Sequence, residues 1–174
     1  VLVLDRSGSM SGEPLEAAKQ ATAALARRLG PQDCLGVVVF DDQAEVVLPC
    51  RPMADHHPDD EARSIARIDA GGGTDISSGY LLALREAKAS LATTGQTSAT
   101  VLLVSDGEAN AGITEPDRIH DLARTATSSQ IVTSSLGFGL GYDEVLLEAL
   151  SRGGNGTHGF APDIDTCVGA LQQT

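Results

Sequence analysis

The chain has 174 residues, of which 41% are hydrophobic and 21% are charged, and this indicates one globular domain over residues 1–174 rather than a disordered or fibrous chain. Its 24 acidic and 12 basic side chains give a formal net charge of −12 without a Lys/Arg cluster, which makes nucleic acid and anionic membranes poor partners. No apolar run approaches the ~20 residues of a membrane-spanning helix, so direct membrane insertion is not expected.

The first part of the chain alternates apolar runs with segments of helical period, which is typical of β-α-β units. Residues 1–4 are predicted to form a buried strand. Because this strand begins at Val1, without an initiator Met, we expect the domain to be part of a longer polypeptide. A helix opens at the acidic, Pro-containing segment 11–14 and ends at Gly30-Pro31. Two runs, 33–40 and 44–50, flank a polar turn and predict an antiparallel hairpin.

The remainder of the chain continues the alternation. Helices are predicted over residues 58–68, 76–91, 115–128 and 143–151, strands over 100–105, 131–138 and 157–160, and a last helix from Ile164. The pattern therefore predicts an α/β fold that is Rossmann-like and doubly wound. We expect a mostly parallel sheet with one antiparallel edge strand and helices on both faces.

Three polar segments are expected at the edge where such sheets bind ligands, beyond the carboxyl ends of the strands. They are Asp5-Arg-Ser-Gly-Ser9, Gly73-Thr-Asp75 and Ser105-Asp-Gly-Glu108. Hydroxyl and carboxylate oxygens form a hard donor set that suits Mg²⁺ or Mn²⁺. Two carboxylates only just neutralise a divalent ion, which would stay electrophilic and accept a carboxylate from a partner. The predicted ligands are Asp5, Ser7, Ser9, Thr74 and Asp106.

Each of these segments also has an ordinary structural explanation. Ser7 and Ser9 could satisfy loop amides, and Asp106-Gly107 is a common turn pair. Thr74 or Asp75 could cap the helix that follows them. The arrival of all three segments in this order on neighbouring strand ends favours the metal site.

The segments Asp5-Arg-Ser-Gly-Ser9, Thr74-Asp75 and Asp106-Gly107 resemble the von Willebrand factor type A domain with its metal-ion-dependent adhesion site (MIDAS). The resemblance covers essentially the whole chain and is strongest to the bacterial and inter-alpha-trypsin-inhibitor-like branch. It implies that Ser7, Ser9 and Thr74 ligate the metal directly, that Asp5 and Asp106 do so directly or through water, and that Asp75 supports them.

The same resemblance implies a non-enzymatic, divalent-cation-dependent protein-binding module for adhesion or complex assembly. Its metal would be completed by an Asp or Glu of a protein partner, in trans or from another domain of the same chain. Arg6, Glu108 and Asn110 border the predicted metal and are candidates for a rim that selects partners.

The alternative is a Mg²⁺-dependent phosphohydrolase that uses Asp5 as its nucleophile. Haloacid-dehalogenase-like phosphatases also place an aspartate after the first strand and hold Mg²⁺ with a later acid. They carry a second Asp two residues on and a Lys near the phosphate, whereas Ser7 occupies the first of these places and no Lys lies near the motifs. We therefore expect no enzymatic activity.

The histidines are not expected to form a second metal site. His56 and His57 lie among acidic residues, and a His-Pro followed by acids is typical of a helix start. His120 and His158 have no evident partner in the sequence and are expected to be structural.

The cysteines Cys34, Cys50 and Cys167 lack CxxC spacing, which argues against a zinc site. If the hairpin pairs Phe40 with Ala44 and continues without irregularity, Cys34 and Cys50 fall opposite each other. A disulfide needs closer and more specific geometry than cross-strand pairing supplies, so we expect two reduced, buried thiols.

Overall fold

A computed structural model of the protein describes residues 1–139 and 141–161. The strands are β1 (Leu2–Asp5), β2 (Cys34–Phe40), β3 (Ala44–Pro52), β4 (Ala99–Ser105), β5 (Ile131–Phe138) and β6 (Asn155–Ala161). The helices are α1 (Glu13–Ala26), α2 (Pro58–Ala66), α3 (Ile76–Thr94), α4 (Pro116–Thr127) and α5 (Glu144–Gly153), with short 3₁₀ turns at Gly8–Met10 and Met53–Asp55. The helix predicted from Ile164 and the third cysteine, Cys167, lie outside the described residues.

The strands form one six-stranded sheet in the order β3-β2-β1-β4-β5-β6. Strands β2 and β3 pair antiparallel, and every other neighbouring pair is parallel. The predicted doubly wound fold with one antiparallel edge is therefore confirmed. From β1 the chain winds first to β2 on one side and later to β4 on the other, so the switch point of the sheet lies between β1 and β4.

Helices cover both faces of the sheet because the central strands are apolar on both sides. In β1, Leu2 and Leu4 belong to the core under α1 and α2, while Val3 belongs to the core under α3, α4 and α5. All three side chains are buried. This two-sided core fixes the strand ends that carry the polar segments. None of the helices within the described residues is long and apolar enough to cross a membrane.

Helix α1 ends at Ala26, before the predicted stop at Gly30-Pro31. Its last turn tightens, since the Arg28 amide donates to the Leu25 carbonyl at 2.9 Å. The Asp33 carboxylate then accepts from the Gly30 amide at 2.7 Å and holds the connection to β2 as a turn.

The predicted register of the β2–β3 hairpin is correct near its turn and wrong beyond Val38. Phe40 pairs with Ala44 and Val38 with Val46, but irregularities follow, and Cys34 pairs with Pro52 instead of Cys50. The two prolines of β3, at positions 49 and 52, have no N–H to donate and interrupt a regular ladder.

Cys34 and Cys50 are both free, as expected, but they are half-buried rather than buried. A Cβ atom on Gly36 would lie 2.7 Å from the Cβ atom of Cys50, so the missing side chain of Gly36 makes room for this cysteine. The thiols therefore sit at an irregular part of the hairpin instead of in the core.

Candidate metal site

Asp5 is the last residue of β1, and its side chain is entirely buried. Its Oδ1 atom accepts a hydrogen bond from the Ser7 amide at 2.7 Å, and its Oδ2 atom accepts one from the Ser105 hydroxyl at 2.5 Å. Asp5 therefore fastens the loop after β1 to the end of β4. Because both oxygens are buried and already engaged, this carboxylate is a poor nucleophile, which argues against the phosphohydrolase alternative.

Three hydroxyl groups converge beside the backbone of Gly107. A Cβ atom placed on this glycine would lie 3.2 Å from Ser9 Oγ, 3.4 Å from Thr74 Oγ1 and 3.6 Å from Ser7 Oγ. The two serine hydroxyls are 3.0 Å apart, and Ser9 Oγ donates to Asp106 Oδ1 at 2.7 Å. We call the five predicted ligands, Asp5, Ser7, Ser9, Thr74 and Asp106, the oxygen cup.

The main chain of Thr74 is held from both sides by the loop after β4. Its amide donates to Asn110 Oδ1 at 2.9 Å, while its carbonyl accepts from the amides of Asn110 at 3.1 Å and Ala111 at 3.3 Å. The side-chain oxygen of Asn110, which we placed on the rim, thus holds a cup residue in position. This role depends on the shape of the loop, for which the sequence carries no periodic signal.

Asp75, one of the two capping residues that the sequence offered, caps helix α3. Its Oδ1 atom accepts from the Ser78 amide at 2.9 Å and from the Ser77 hydroxyl at 2.6 Å. The Ser77 hydroxyl in turn accepts from the Ile113 amide at 2.9 Å. The cap therefore ties the start of α3, and with it Thr74, to the loop that carries Asp106.

The other two predicted rim residues differ in their surroundings. Arg6 donates from Nε to Asp41 Oδ2 at 3.0 Å and from Nη1 to Glu45 Oε2 at 3.3 Å, so its charge is engaged with the β2–β3 hairpin. Glu108 is exposed two residues beyond Asp106. Glu108 stays a candidate for the rim, whereas Arg6 forms ion pairs with the hairpin.

The cup confines two carboxylates in a poorly solvated space. Burial raises the pKa of Asp5, hydrogen bonds from Ser105 and Ser7 oppose this shift, and the charge of Asp106 adds to it. Burial also raises the pKa of Asp106, against the hydrogen bond from Ser9. A divalent cation would relieve both desolvated charges. The donor set, which is entirely oxygen, therefore fits Mg²⁺ or Mn²⁺.

One of the two neighbouring histidines, His56, forms an internal pair. His56 Nδ1 lies 2.7 Å from Glu61 Oε1, and both side chains are buried. Across the described part of the chain, no group of three or more His, Cys, Asp or Glu side chains is placed to hold a metal. The oxygen cup contains only two carboxylates, and its other three members are hydroxyls.

A family model described as von Willebrand factor type A domain matches residues 1–108, which include the whole oxygen cup. The chain belongs to this family. Type A domains are generally protein-interaction modules and not enzymes. The predicted family is therefore confirmed, and the general expectation of a protein-binding module agrees with it.

Curated relatives of this type A domain come from bacteria and from mammals. The chain is 34% identical over 172 residues to the uncharacterized protein sll0103 of Synechocystis sp., and the match covers 99% of this chain and 39% of the relative. It is 33% identical over 161 residues to inter-alpha-trypsin inhibitor heavy chain H4 of Homo sapiens, covering 88% of this chain and 17% of the relative. The chain thus spans well under half of each of these relatives.

A solved structure shares the fold of this type A domain. Proximal thread matrix protein 1 from the mussel byssus, in a form with a zinc-occupied MIDAS motif, superimposes with a TM-score of 0.74 at 19% identity. The match covers 99% of this chain and 43% of the mussel protein. At this identity the likeness shows the fold alone.

Proposed function

We propose that this chain is a divalent-cation-dependent protein-binding module for adhesion or complex assembly. The observation that carries the proposal is the convergence of the Ser7, Ser9 and Thr74 hydroxyls beside Gly107, next to the carboxylate of Asp106. These three hydroxyls would ligate the ion directly. Asp5 would act through water, since both its oxygens already accept hydrogen bonds from the protein.

We propose Mg²⁺ or Mn²⁺ as the physiological ion. Hydroxyls and carboxylates are hard donors, and Mg²⁺ usually keeps several waters when proteins bind it. Zinc prefers nitrogen and sulfur ligands, which the cup lacks. The zinc-occupied MIDAS of the mussel protein supports a divalent metal in a site of this family, without deciding which ion this chain selects.

The partner would supply an Asp or Glu side chain that completes the coordination of the ion. With a net formal charge of −12 and two carboxylates in the cup, the metal-free domain repels an acidic partner. A bound divalent ion cancels the charge of the cup carboxylates and offers an exchangeable coordination position. The sign of the local interaction therefore reverses when the metal binds. The partner would come from another protein or from another domain of the same chain.

A pull-down, in which partner proteins are captured on the immobilised domain, tests this function. Wild type in Mg²⁺ should retain proteins that are released by EDTA and are not retained by Thr74→Ala. Thr125→Ala removes a threonine hydroxyl from the exposed surface of α4 and should behave like wild type, since that hydroxyl donates to the Asp121 carbonyl of its own helix, far in sequence from the cup. Circular dichroism confirms that each variant is folded. Partners that survive both EDTA and Thr74→Ala would show that recognition uses another face.

A further inference from the structure

An anchored aromatic group lies on the β5–β6 side of the sheet. The Tyr142 ring stacks on the Phe160 ring, with centroids 5.7 Å apart and planes at 20°, and lies 5.8 Å from the His158 ring. It covers β5 at Gly137, where a Cβ atom would come within 2.2 Å of the tyrosine ring. We call Tyr142, His158 and Phe160 the aromatic patch.

The aromatic patch is held by a chain of polar contacts. They include two partners of His158 that the sequence did not reveal. His158 Nε2 lies 3.3 Å from the Tyr142 hydroxyl, and its Nδ1 lies 2.8 Å from the buried Ser135 hydroxyl. Ser135 Oγ also donates to the Leu147 carbonyl at 2.9 Å. Yet Phe160 keeps 45% of its surface exposed. The patch therefore presents a fixed aromatic surface to solvent.

The aromatic patch and the oxygen cup lie at the same edge of the sheet. Ser105, which precedes cup residue Asp106, pairs with Gly137 of β5, and Gly137 pairs with Phe160 of β6. Two strand spacings of about 4.8 Å place Phe160 roughly 10 Å from the end of β4. The Asp143 amide also donates to the Gly107 carbonyl at 3.3 Å, so the residue after Tyr142 contacts the backbone that lines the cup.

The surroundings of the aromatic patch are acidic. Burial lowers the pKa of His158, while the charges of Glu144 and Glu148 oppose this shift. Burial and the charge of Glu144 both raise the pKa of Tyr142. Both glutamates are exposed on the surface of α5. Aromatic faces with neighbouring carboxylates attract cationic side chains through the ring quadrupole and through charge.

We infer that the aromatic patch binds a Lys or Arg side chain of the same partner segment whose acidic residue completes the metal in the oxygen cup. This inference rests on the proposed function. The metal would lie between the ends of β1 and β4, two to three strand spacings or about 10 to 14 Å from Phe160. An extended chain advances about 3.3 Å per residue, so this distance corresponds to about three or four residues. The preferred partner segment therefore carries an acid and a base about three or four positions apart, and the base adds selectivity that the metal alone does not supply.

A random peptide library displayed on phage and selected on the immobilised chain in Mg²⁺ tests the inference. We expect peptides eluted by EDTA to be enriched in an Asp or Glu with a Lys or Arg two to four positions away. Binding of a synthetic copy of the most enriched peptide should weaken about fivefold or more in Phe160→Ala. It should also weaken in the double variant Glu144→Gln/Glu148→Gln, which leaves the aromatic stack intact.

Leu81→Ala is the matched control, because Leu81 is an exposed apolar side chain on α3 with 47% of its surface accessible. This variant should bind the peptide as wild type does. EDTA-eluted peptides that carry the acid but no excess of Lys or Arg, or that carry an apolar residue in its place, would overturn this inference and leave the proposed function standing. Selected peptides that stay bound in EDTA would contradict the proposed function and this inference together.

Discussion

Ser9 and Asp106 lie 97 positions apart in the sequence, yet the Ser9 hydroxyl donates to Asp106 Oδ1 at 2.7 Å. The contact exists because β1 and β4 are parallel neighbours, so that the loops leaving them meet at one edge. This spacing is close to that of two adjacent oxygen ligands of one octahedral Mg²⁺, so an ion that contacts both oxygens requires little rearrangement. Preorganisation of this kind favours metal binding, because folding has already ordered the side chains that would contact the ion.

Removing the hydroxyl of Thr74 should abolish stabilisation by Mg²⁺ without unfolding the domain. An ion that binds only the native state adds about 2.7 kcal/mol at a hundredfold excess over Kd, which is roughly 5–10 °C in melting temperature for a chain of this size. We expect this gain in wild type and in Thr125→Ala, and its absence in Thr74→Ala. Thermal melts with Mg²⁺ and with EDTA provide the measurement. An equal gain in all three proteins would place the ion elsewhere.

Gly107→Ala should obstruct the oxygen cup. The new methyl group would meet the hydroxyls of Ser9 and Thr74 at 3.2 Å and 3.4 Å, within the space assigned to the ion. We expect Mg²⁺ affinity to fall by tenfold or more, while the metal-free protein loses about 1 kcal/mol from crowding. Calorimetric titration and chemical denaturation separate these two effects. Unchanged affinity would show that the ion does not occupy the space beside Gly107.

Asn110 should control metal affinity through Thr74. Asn110→Ala removes the acceptor of the Thr74 amide, and we expect Mg²⁺ affinity to fall about 10-fold to 100-fold, as is usual for residues that orient metal ligands. Asn110→Asp keeps an oxygen at this position and should restore most of the affinity. Equal losses in both variants would mean that the amide group, rather than its oxygen, matters.

As the pH is lowered, the stabilisation of the fold by Mg²⁺ should disappear at a pH above the usual aspartate pKa of 3.8. Burial raises the pKa of Asp5 and Asp106, so the metal-free fold favours their protonated forms. Protonation therefore stabilises the metal-free fold at low pH, and this contribution is lost as pH rises through the raised pKa values. Metal binding requires both carboxylates charged, so the stabilisation by Mg²⁺ grows over the same window. Melting temperatures from pH 7 to 4, with Mg²⁺ near its Kd, give the profile. A constant gain over this range would contradict the account.

The sequence predicted the sheet well because its strands are apolar runs and its helices keep a clear period. Strand β5 has the predicted bounds, Ile131–Phe138. The meeting of the segment Asp5-Arg-Ser-Gly-Ser9 with Asp106 was also predictable, since carboxyl ends of parallel strands share one edge. Thr74 instead precedes helix α3 and follows no strand. The register at Cys34 was not, because prolines interrupt β3 after the turn has set the first pairs.

The supporting contacts of the site carried no comparable signal. Two hydrogen bonds, from the Ser105 hydroxyl to Asp5 and from the Thr74 amide to Asn110, depend on loop conformation. Loop conformation leaves no periodicity in the sequence. His158 contacts Ser135 and Tyr142 only because β6 lies beside β5. Such contacts follow from tertiary structure and become visible only when the strands are assembled.

The most direct test of the oxygen cup is paramagnetic broadening of amide NMR signals by Mn²⁺. Substoichiometric Mn²⁺ should selectively broaden the amides of Ser7, Ser9, Thr74 and Gly107 in wild type. The same addition to Thr74→Ala should leave the amide signals of Ser7, Ser9 and Gly107 sharp, with the rest of the spectrum unchanged. Broadening centred on the exposed acids of α2, or equal broadening near the cup in both proteins, would contradict the assignment of the metal to these residues.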